Sequence, residues 1–467
     1  MSADALAATS AAEITARLDR LPMTRHLWMM VLLIALGASF ENYDIFFTGY
    51  VAPGLFEAKI FSATTTGLFG TTGLASFIAA LFTGLFIGTL VFAVVADRFG
   101  RRTVFTIAAV WYSICTFILA FQNTAHMLNV WRLIGGVGIG VELVTISTYV
   151  SELVPKAFRG RAFAFQQGIG FCVVPLVAFL AWLLVPTRPL GLDGWRWVVL
   201  IGSTGALGIW WVRLGLPESP RWLAQQGRIA EADRVMRAIE ARVEAEYGRP
   251  LPPPGAPAVE RQDRDRGSYL EVFSPTYRGR TIMMMIFNFF QTIGFYGFVN
   301  WVPTLLISKG ITVTKSLEYT FIIALSFPVW PFIMSRFADR MERKWQLVLA
   351  CASIAVFGIL FSMQTAAVAL IVLGAVQTMS NAWLSFSFHT YQSELYPTRI
   401  RARGFGFAYS WSRFSTIFTG FFIAFFLREW GVPGVFVFIA GAMVICILLV
   451  ALFGPRTNQL ALEEISK

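Results

Sequence analysis

The stretch HLWMMVLLIALGASFENYDIFFTGYVAPGL, residues 26–55, decides how the rest of the chain is read. It is almost wholly apolar, and a helix needs roughly 20 apolar residues to cross the hydrocarbon core of a bilayer. Glu41 and Asp44 interrupt it about a dozen residues in. Working outward, the 467 residues are 56% hydrophobic and 14% charged, against about 25% charged in soluble domains. The mean hydropathy is +0.63. Twelve stretches are long and apolar enough to span: 28–53, 73–96, 104–122, 127–150, 162–186, 194–215, 281–307, 318–337, 346–363, 366–389, 404–427 and 433–454. Backbone inside lipid must satisfy its own hydrogen bonds, so these spans are predicted to be helices and the fold class all-α membrane protein. The first run is too long for a cleavable signal and no small-residue cleavage site follows it, so it is expected to stay as span 1.

Basic residues set the expected orientation, since Lys and Arg in short loops mark the cytoplasmic side. They cluster before span 1 (Arg17, Arg20, Arg25) and after spans 2, 4, 8 and 10, whereas the alternate loops hold only Lys59, Arg188, Lys309, Lys315 and Arg428, with Arg196 near one edge. Both termini are therefore expected in the cytoplasm. This bias, with a basic central loop, accounts for the net charge of +11 and gives no reason to invoke nucleic acid. Four cysteines, Cys115, Cys172, Cys351 and Cys446, all fall inside spans and read as small apolar packers. The three histidines are scattered, and no metal spacing, nucleophile set or phosphate-cradling loop stands out. No cofactor is expected, the chain is not read as an enzyme, and a monomer in the bilayer is expected.

The chain divides into an N-terminal tail (1–27), a six-span half (28–215), a linker (216–280), a second six-span half (281–454) and a C-terminal tail (455–467). Within the linker, RIAEADRVMRAIEARVEAEY has helical spacing and RPLPPPGAP is Pro-rich and flexible. An internal repeat supports the division. ADRFGRR after span 2 returns as ADRMERK after span 8, and YVSELVPKAFRG after span 4 returns as YQSELYPTRIRARG after span 10. Asp97/Asp339, Tyr149/Tyr391, Glu152/Glu394, Pro155/Pro397 and Arg159/Arg401 all share one offset of 242 residues. Duplicated halves facing each other are the build of many secondary transporters.

These motifs resemble the major facilitator superfamily. ADRFGRR is similar to its loop signature G-x-x-x-D-R-x-G-R-R, with Ala93 at the first Gly and, in the second copy, Glu342 at the second. RLIGGVGIGVELVTISTYVSELVPKAFRG and PESPRWL resemble sugar-porter signatures, and together the motifs cover about residues 26–455. The resemblance implies two pseudo-symmetric six-helix bundles. It also implies a cytoplasmic latch: Asp97, Arg98, Arg101 and Arg102 pairing with Glu152 and Arg159, and Asp339, Arg340 and Arg343 with Glu394 and Arg401 in the second copy. Such pairs would hold the halves together in one state and part in the other; the alternative is charge that merely marks topology.

Charges in mid-span are costly and default to function. They are Glu41 and Asp44 in span 1, Arg132 and Glu142 in span 4 and Arg413 in span 11, with His389 near the end of span 10. Glu41 and Asp44, three apart, share one helix face. In proton-coupled sugar porters an Asp of span 1 faces the Arg that opens the span 4 signature, and Asp44 and Arg132 match those positions. The resemblance thus implies a proton switch at Asp44; a static buried pair is the other reading. Glu142 departs from sugar porters, and GVGIGVEL is similar to the G-x-G-x-G-G-E-L run of nicotinate and organic ion transporters. It is either a second proton site or a partner for Arg132. Arg413 has no acid on its own span and is a ready carboxylate fork, unless it pairs with Glu41.

Gln167 matches a Gln of the sugar-porter span 5, and Gln291 with Gly294 match part of the span 7 amide run. That run is otherwise altered, with Phe290, Tyr296 and Asn300-Trp301 in place of amide, Asn and Tyr-Tyr, and FYGFVNWVPTLL is more similar to nicotinate-type transporters. Tyr43, Tyr296, Trp301, Trp383 and Trp411 are candidate aromatic walls, although most aromatics in such a chain face lipid or core. The reading is a proton-coupled symporter importing a small organic anion, a monocarboxylate or aromatic acid, across a bacterial-type inner membrane. Rival readings are a sugar or polyol symporter, an exporter or uniporter, and a non-transporting nutrient sensor.

Overall fold

The computed structural model describes residues 3–62, 64–67, 73–91, 98–205, 208, 211–212, 215–255, 269–329, 333, 341–396 and 400–456, with backbone alone at 3–10, 91, 269–270, 393 and 401–403. Asp97, Asp339 and Arg340 lie outside the described residues, as does the side chain of Arg401.

Nine helices among the described residues are long and apolar enough to cross a membrane. In the first half these are α2 (Arg25–Tyr50), α4 (Gly73–Val91), α5 (Arg101–Leu119), α6 (Ala125–Leu153) and a span made of α7 (Arg159–Phe171) and α8 (Val173–Leu184). A short α3 (Ala52–Glu57) follows α2, and α9 (Gly194–Ser203) begins the sixth span. After the linker come α12 (Arg278–Val299), α13 (Val302–Ser308), α14 (Val313–Ala324), α15 (Arg343–Met363), α16 (Ala367–Glu394) and α17 (Arg401–Phe453). The last is two spans: the backbone leaves the helical region at Gly431 (φ 65°), and Phe426 stacks on Phe438 at 4.7 Å as the chain folds back.

Span 7, expected unbroken over 281–307, is divided between α12 and α13 at Asn300-Trp301. Pro303 has no N–H to bond back to Val299, so the ladder stops there. Pro175 acts in the same way early in α8, next to the break at Cys172. The N-terminal tail, read as a plain tail, contains α1 (Ala3–Asp19). Its buried Ile14 and Leu18 join a cluster with Ala232, Met236, Ile239 and Val243 of α11 (Ile229–Tyr247). Arg17 reaches Asp233 at 2.7 Å and Glu240 at 2.5 Å. In the linker, α10 (Pro220–Gln225) starts where Ser219 accepts from Trp222 N with Pro220 next in line. Gly248 ends α11 in the left-handed conformation.

The polarity of the helices is inside-out. On α5, Ile107, Trp111, Ile114 and Phe117 form an exposed apolar stripe, while Arg132, Glu142 and Asp44 are buried. Packing within the first half is closest between α4 and α6, where glycines remove side chains from the contact. A Cβ on Gly136 would lie 2.5 Å from Leu81 O, and one on Gly140 2.4 Å from Leu85 O. That close approach is the physical content of the GGVGIG run.

Contacts between halves gather on the face opposite the termini. A Cβ on Gly49 of α2 would lie 2.4 Å from Asn300 O, and Gly420 of α17 sits against Ala75 of α4. Trp182 of α8 stacks on Phe321 of α14 at 5.8 Å, and Phe46 of α2 meets Phe327 at 5.7 Å.

Candidate functional site

Asp44 and Arg132 meet in the interior of the first half. Arg132 Nη1 donates to Asp44 Oδ2 at 2.7 Å, and Thr116 on α5 donates to Asp44 Oδ1 at 2.7 Å. Arg132 Nη2 donates to the Asp44 carbonyl and to Thr48 Oγ1. The guanidinium lies over the Phe47 ring at 4.3 Å and the Phe77 ring at 5.5 Å, with Nε alone unpartnered. The α2 spacing places Asp44 and Thr48 one turn apart on the same face, so a single Arg grips both.

Glu142 is 0% exposed, and neither carboxyl oxygen is within hydrogen-bonding geometry of a described partner. The buried Tyr112 hydroxyl on α5 is likewise without a partner among the described residues. Glu142 therefore does not pair with Arg132, whose two Nη atoms are taken by α2. Glu41, one turn from Asp44 toward the termini, is 5% exposed and closes no hydrogen bond or ion pair among the described residues.

Across the interface, on α17, Arg413 is 4% exposed. Its Nη1 donates to Tyr296 Oη at 2.8 Å and its Nη2 to Tyr409 Oη at 2.7 Å; Nε is buried without a partner. The two rings flank the guanidinium, at 5.0 Å for Tyr409 and 6.0 Å for Tyr296. Tyr296 in turn packs on Phe82 of the first half at 4.6 Å. Among the described residues no carboxylate lies within ion-pair distance of Arg413, and a guanidinium so placed is able to fork a carboxylate.

Other candidates fall nearby or elsewhere. Gln291 is buried and donates to Thr292 at 3.1 Å; both ends of the buried Asn300 amide are unpartnered; Gln167 is half-buried and closes no hydrogen bond. Trp301 is buried at the α12–α13 break and Trp383 is half-buried on α16. Two further expected walls make other contacts. Tyr43 does not line the interface: its hydroxyl donates to Val198 O at 2.7 Å and its ring covers Gly202 of α9. Trp411 sits two residues from Arg413, about 200° away around the helix, and packs edge-on against Phe414.

The family model for sugar (and other) transporters matches residues 30–467. The chain belongs to the sugar (and other) transporter family. The transporter is similar to the inner membrane metabolite transport protein YdjE of Escherichia coli, 29% identical over 97% of this chain and 98% of that one. It is 25% identical to the niacin transporter NiaP of Acinetobacter baylyi, over 97% and 99% of the two chains. In structure it is similar to the xylose transporter XylE of E. coli in a partially occluded inward-open conformation, with a TM-score of 0.74 at 19% identity over 93% of this chain and 99% of that one. The fold is thus the twelve-span major facilitator fold, and the protein is a multi-pass membrane transporter, not an enzyme.

In this transporter each copy of the repeated loop motif holds an ion pair inside its own half. Arg101 Nη2 pairs with Glu152 at 2.9 Å, and Arg343 with Glu394 at 3.5 Å. Arg98 is exposed and lies over the Phe99 ring at 5.7 Å; Arg159 closes no ion pair among the described residues. Glu218 of PESPRWL, a partner missed by sequence reading, accepts from the backbone N–H of Arg101 (2.9 Å) and Arg102 (3.2 Å). It caps the start of α5, where an acid is favoured. Gly100 is required there: its φ is 93°, and a Cβ would lie 2.5 Å from the Glu218 carboxylate. The second copy has Glu342 at this position, with a negative φ of −52° instead. Each repeated tyrosine ties down the end of its own half, Tyr149 donating to Pro217 O and Tyr391 to Pro455 O.

Proposed function

We propose that the protein is a secondary active transporter that imports a small organic anion together with a proton, by alternating access, across a bacterial inner membrane with both termini in the cytoplasm. The observation that carries this is Arg413: a buried cation on one half, held by phenols alone, facing a half that carries the acids. Placed at the interface, it would fork a carboxylate while Tyr296 and Tyr409 cover a flat substrate body. Gln291, Asn300, Gln167, Trp301 and Trp383 would complete the pocket.

The proton-coupling set is Glu41, Asp44, Glu142 and Arg132, all buried on the half opposite Arg413. The niacin transporter among the relatives supports an aromatic monocarboxylate as the cargo. Contacts between halves on the face away from the termini support a state open toward the termini. In the opposite state those loops would latch the halves together.

The test is uptake into proteoliposomes under an imposed pH gradient, with nicotinate, benzoate, xylose and choline as probes. Nicotinate or benzoate is expected to accumulate, and Arg413→Gln to abolish that accumulation. Accumulation of xylose alone would overturn the anion reading in favour of a sugar symporter.

A further inference from the structure

His389, near the end of span 10, is used by neither the proton-coupling set nor the anion site. It lies half-buried on α16, against the tyrosine that holds Arg413. Tyr409 links the two groups. Its hydroxyl accepts from Arg413 Nη2 at 2.7 Å. Its ring is 5.0 Å from the guanidinium and 5.3 Å from the His389 ring. Phe388 and Phe405 flank the imidazole at 4.0 and 6.0 Å, and both also pack on Tyr409, at 6.1 and 5.8 Å. The imidazole is thus fixed in the same cluster of rings that holds the guanidinium.

One of its nitrogens is committed. His389 Nδ1 lies 2.6 Å from Ser385 O, one turn back on α16. A carbonyl oxygen only accepts, so Nδ1 carries the hydrogen, and in the neutral ring Nε2 is left as an acceptor. Nε2 closes no hydrogen bond among the described residues.

We infer that His389 selects the substrate: the anion that Arg413 holds is an aromatic monocarboxylate with a hydrogen-bond donor on its ring, a hydroxybenzoate-type acid, whose hydroxyl donates to His389 Nε2. The inference rests on Arg413 being the anion site. The carboxylate takes the guanidinium, the flat body lies along Tyr409, and the far edge of the ring meets the imidazole. A polar group buried there without a partner is penalised by more than a made bond stabilises. A ring hydroxyl finds an acceptor. A plain C–H leaves Nε2 unpartnered, and a ring nitrogen sets one lone pair against another. The site therefore ranks hydroxybenzoate above benzoate and gives nicotinate no advantage over benzoate. The rival for this task is the Asn300 amide, one turn from Tyr296 on α12 and unpartnered at both ends. An amide offers both donor and acceptor, so it would favour the ring nitrogen as well as the hydroxyl.

The test is calorimetric titration of the purified full-length protein at about pH 8, where an ordinary imidazole is neutral. The probes are benzoate, meta- and para-hydroxybenzoate and nicotinate. The wild type should bind one of the hydroxybenzoates roughly tenfold more tightly than benzoate, and nicotinate no more tightly than benzoate. His389→Phe keeps a ring in the cluster but no nitrogen. It should lose roughly tenfold in affinity for that hydroxybenzoate and so bind it and benzoate alike. His389→Gln, which returns an acceptor, should recover part of the difference. If neither variant is recovered folded, the wild-type ranking decides, and hydroxybenzoates bound no more tightly than benzoate overturn the inference. A preference that survives His389→Phe and disappears in Asn300→Ala also overturns it. Undiminished binding of all four acids by Arg413→Gln would instead bring down the anion-site reading.

Discussion

Arg132 shows how a single buried charge constrains the first half. Its guanidinium is satisfied by Asp44, Thr48 and a main-chain carbonyl and sandwiched by Phe47 and Phe77. Removing one partner of a buried pair strands the other, at a cost of about 3–5 kcal/mol. Asp44→Asn is therefore expected to lower the detergent melting temperature markedly, and Asp44→Asn with Arg132→Met to recover much of the loss. Equal melting temperatures for the single and double variants would show that the pair is not the source. Residue identity alone pointed to Asp44–Arg132, because the two positions stand out as charges in apolar runs and match family signatures. It did not reveal that Glu142 is left alone, since an Arg ten residues earlier on the same helix reaches a different helix instead. Tyr409 was legible in principle, lying one helical turn before Arg413; Thr116 on α5 carried no sequence signal.

At the scale of elements, the α4–α6 contact is set by backbone proximity. Gly140→Ala would press a methyl to 2.4 Å from Leu85 O, whereas a Cβ on Gly441 meets nothing within 4 Å. The first should destabilise by about 1–3 kcal/mol, and Gly441→Ala should be neutral or stabilising by up to about 1 kcal/mol; melting temperatures of the two variants check this. The α1–α11 clamp depends on charge instead. The Arg17 hydrogen bond beside Asp233 holds that carboxyl below its ordinary value of 3.8. The stabilisation is therefore fully present above about pH 4 and is lost as the pH falls through the lower folded-state value. Amide exchange along residues 3–19 should accelerate on such acidification. Arg17→Ala should reproduce it at neutral pH by roughly fivefold, the equivalent of about 1 kcal/mol for exposed pairs.

The whole molecule is two halves joined on one face. Ala75 of α4 and Gly420 of α17 come from opposite halves, and a Cβ on Gly420 would lie 3.5 Å from Ala75 Cβ. That separation suits a disulfide. Ala75→Cys with Gly420→Cys, in a Cys172→Ser background, is expected to cross-link on oxidation, hold that face shut and stop nicotinate uptake in proteoliposomes. Reductant should restore it; uptake that persists in fully cross-linked protein would rule out opening at this face as part of the cycle.

The sequence by itself determined what composition and repetition can carry: a membrane protein built of apolar helical spans, and the duplication marked by ADRFGRR and ADRMERK. These are one-dimensional properties, because lipid exposes every span to the same apolar solvent and a duplicated motif keeps its offset. It also placed the linker helix α11 from its periodicity, but not the helix within the N-terminal tail, whose stability comes from docking on α11. Tertiary structure alone decided the partners. Which of three acids reaches Arg132, that Arg101 reaches Glu152, and that Arg413 is held by two tyrosines from different helices all depend on how helices cross. A charge inside a membrane helix can be read from sequence, but its counterion lies on another helix, and only packing chooses which.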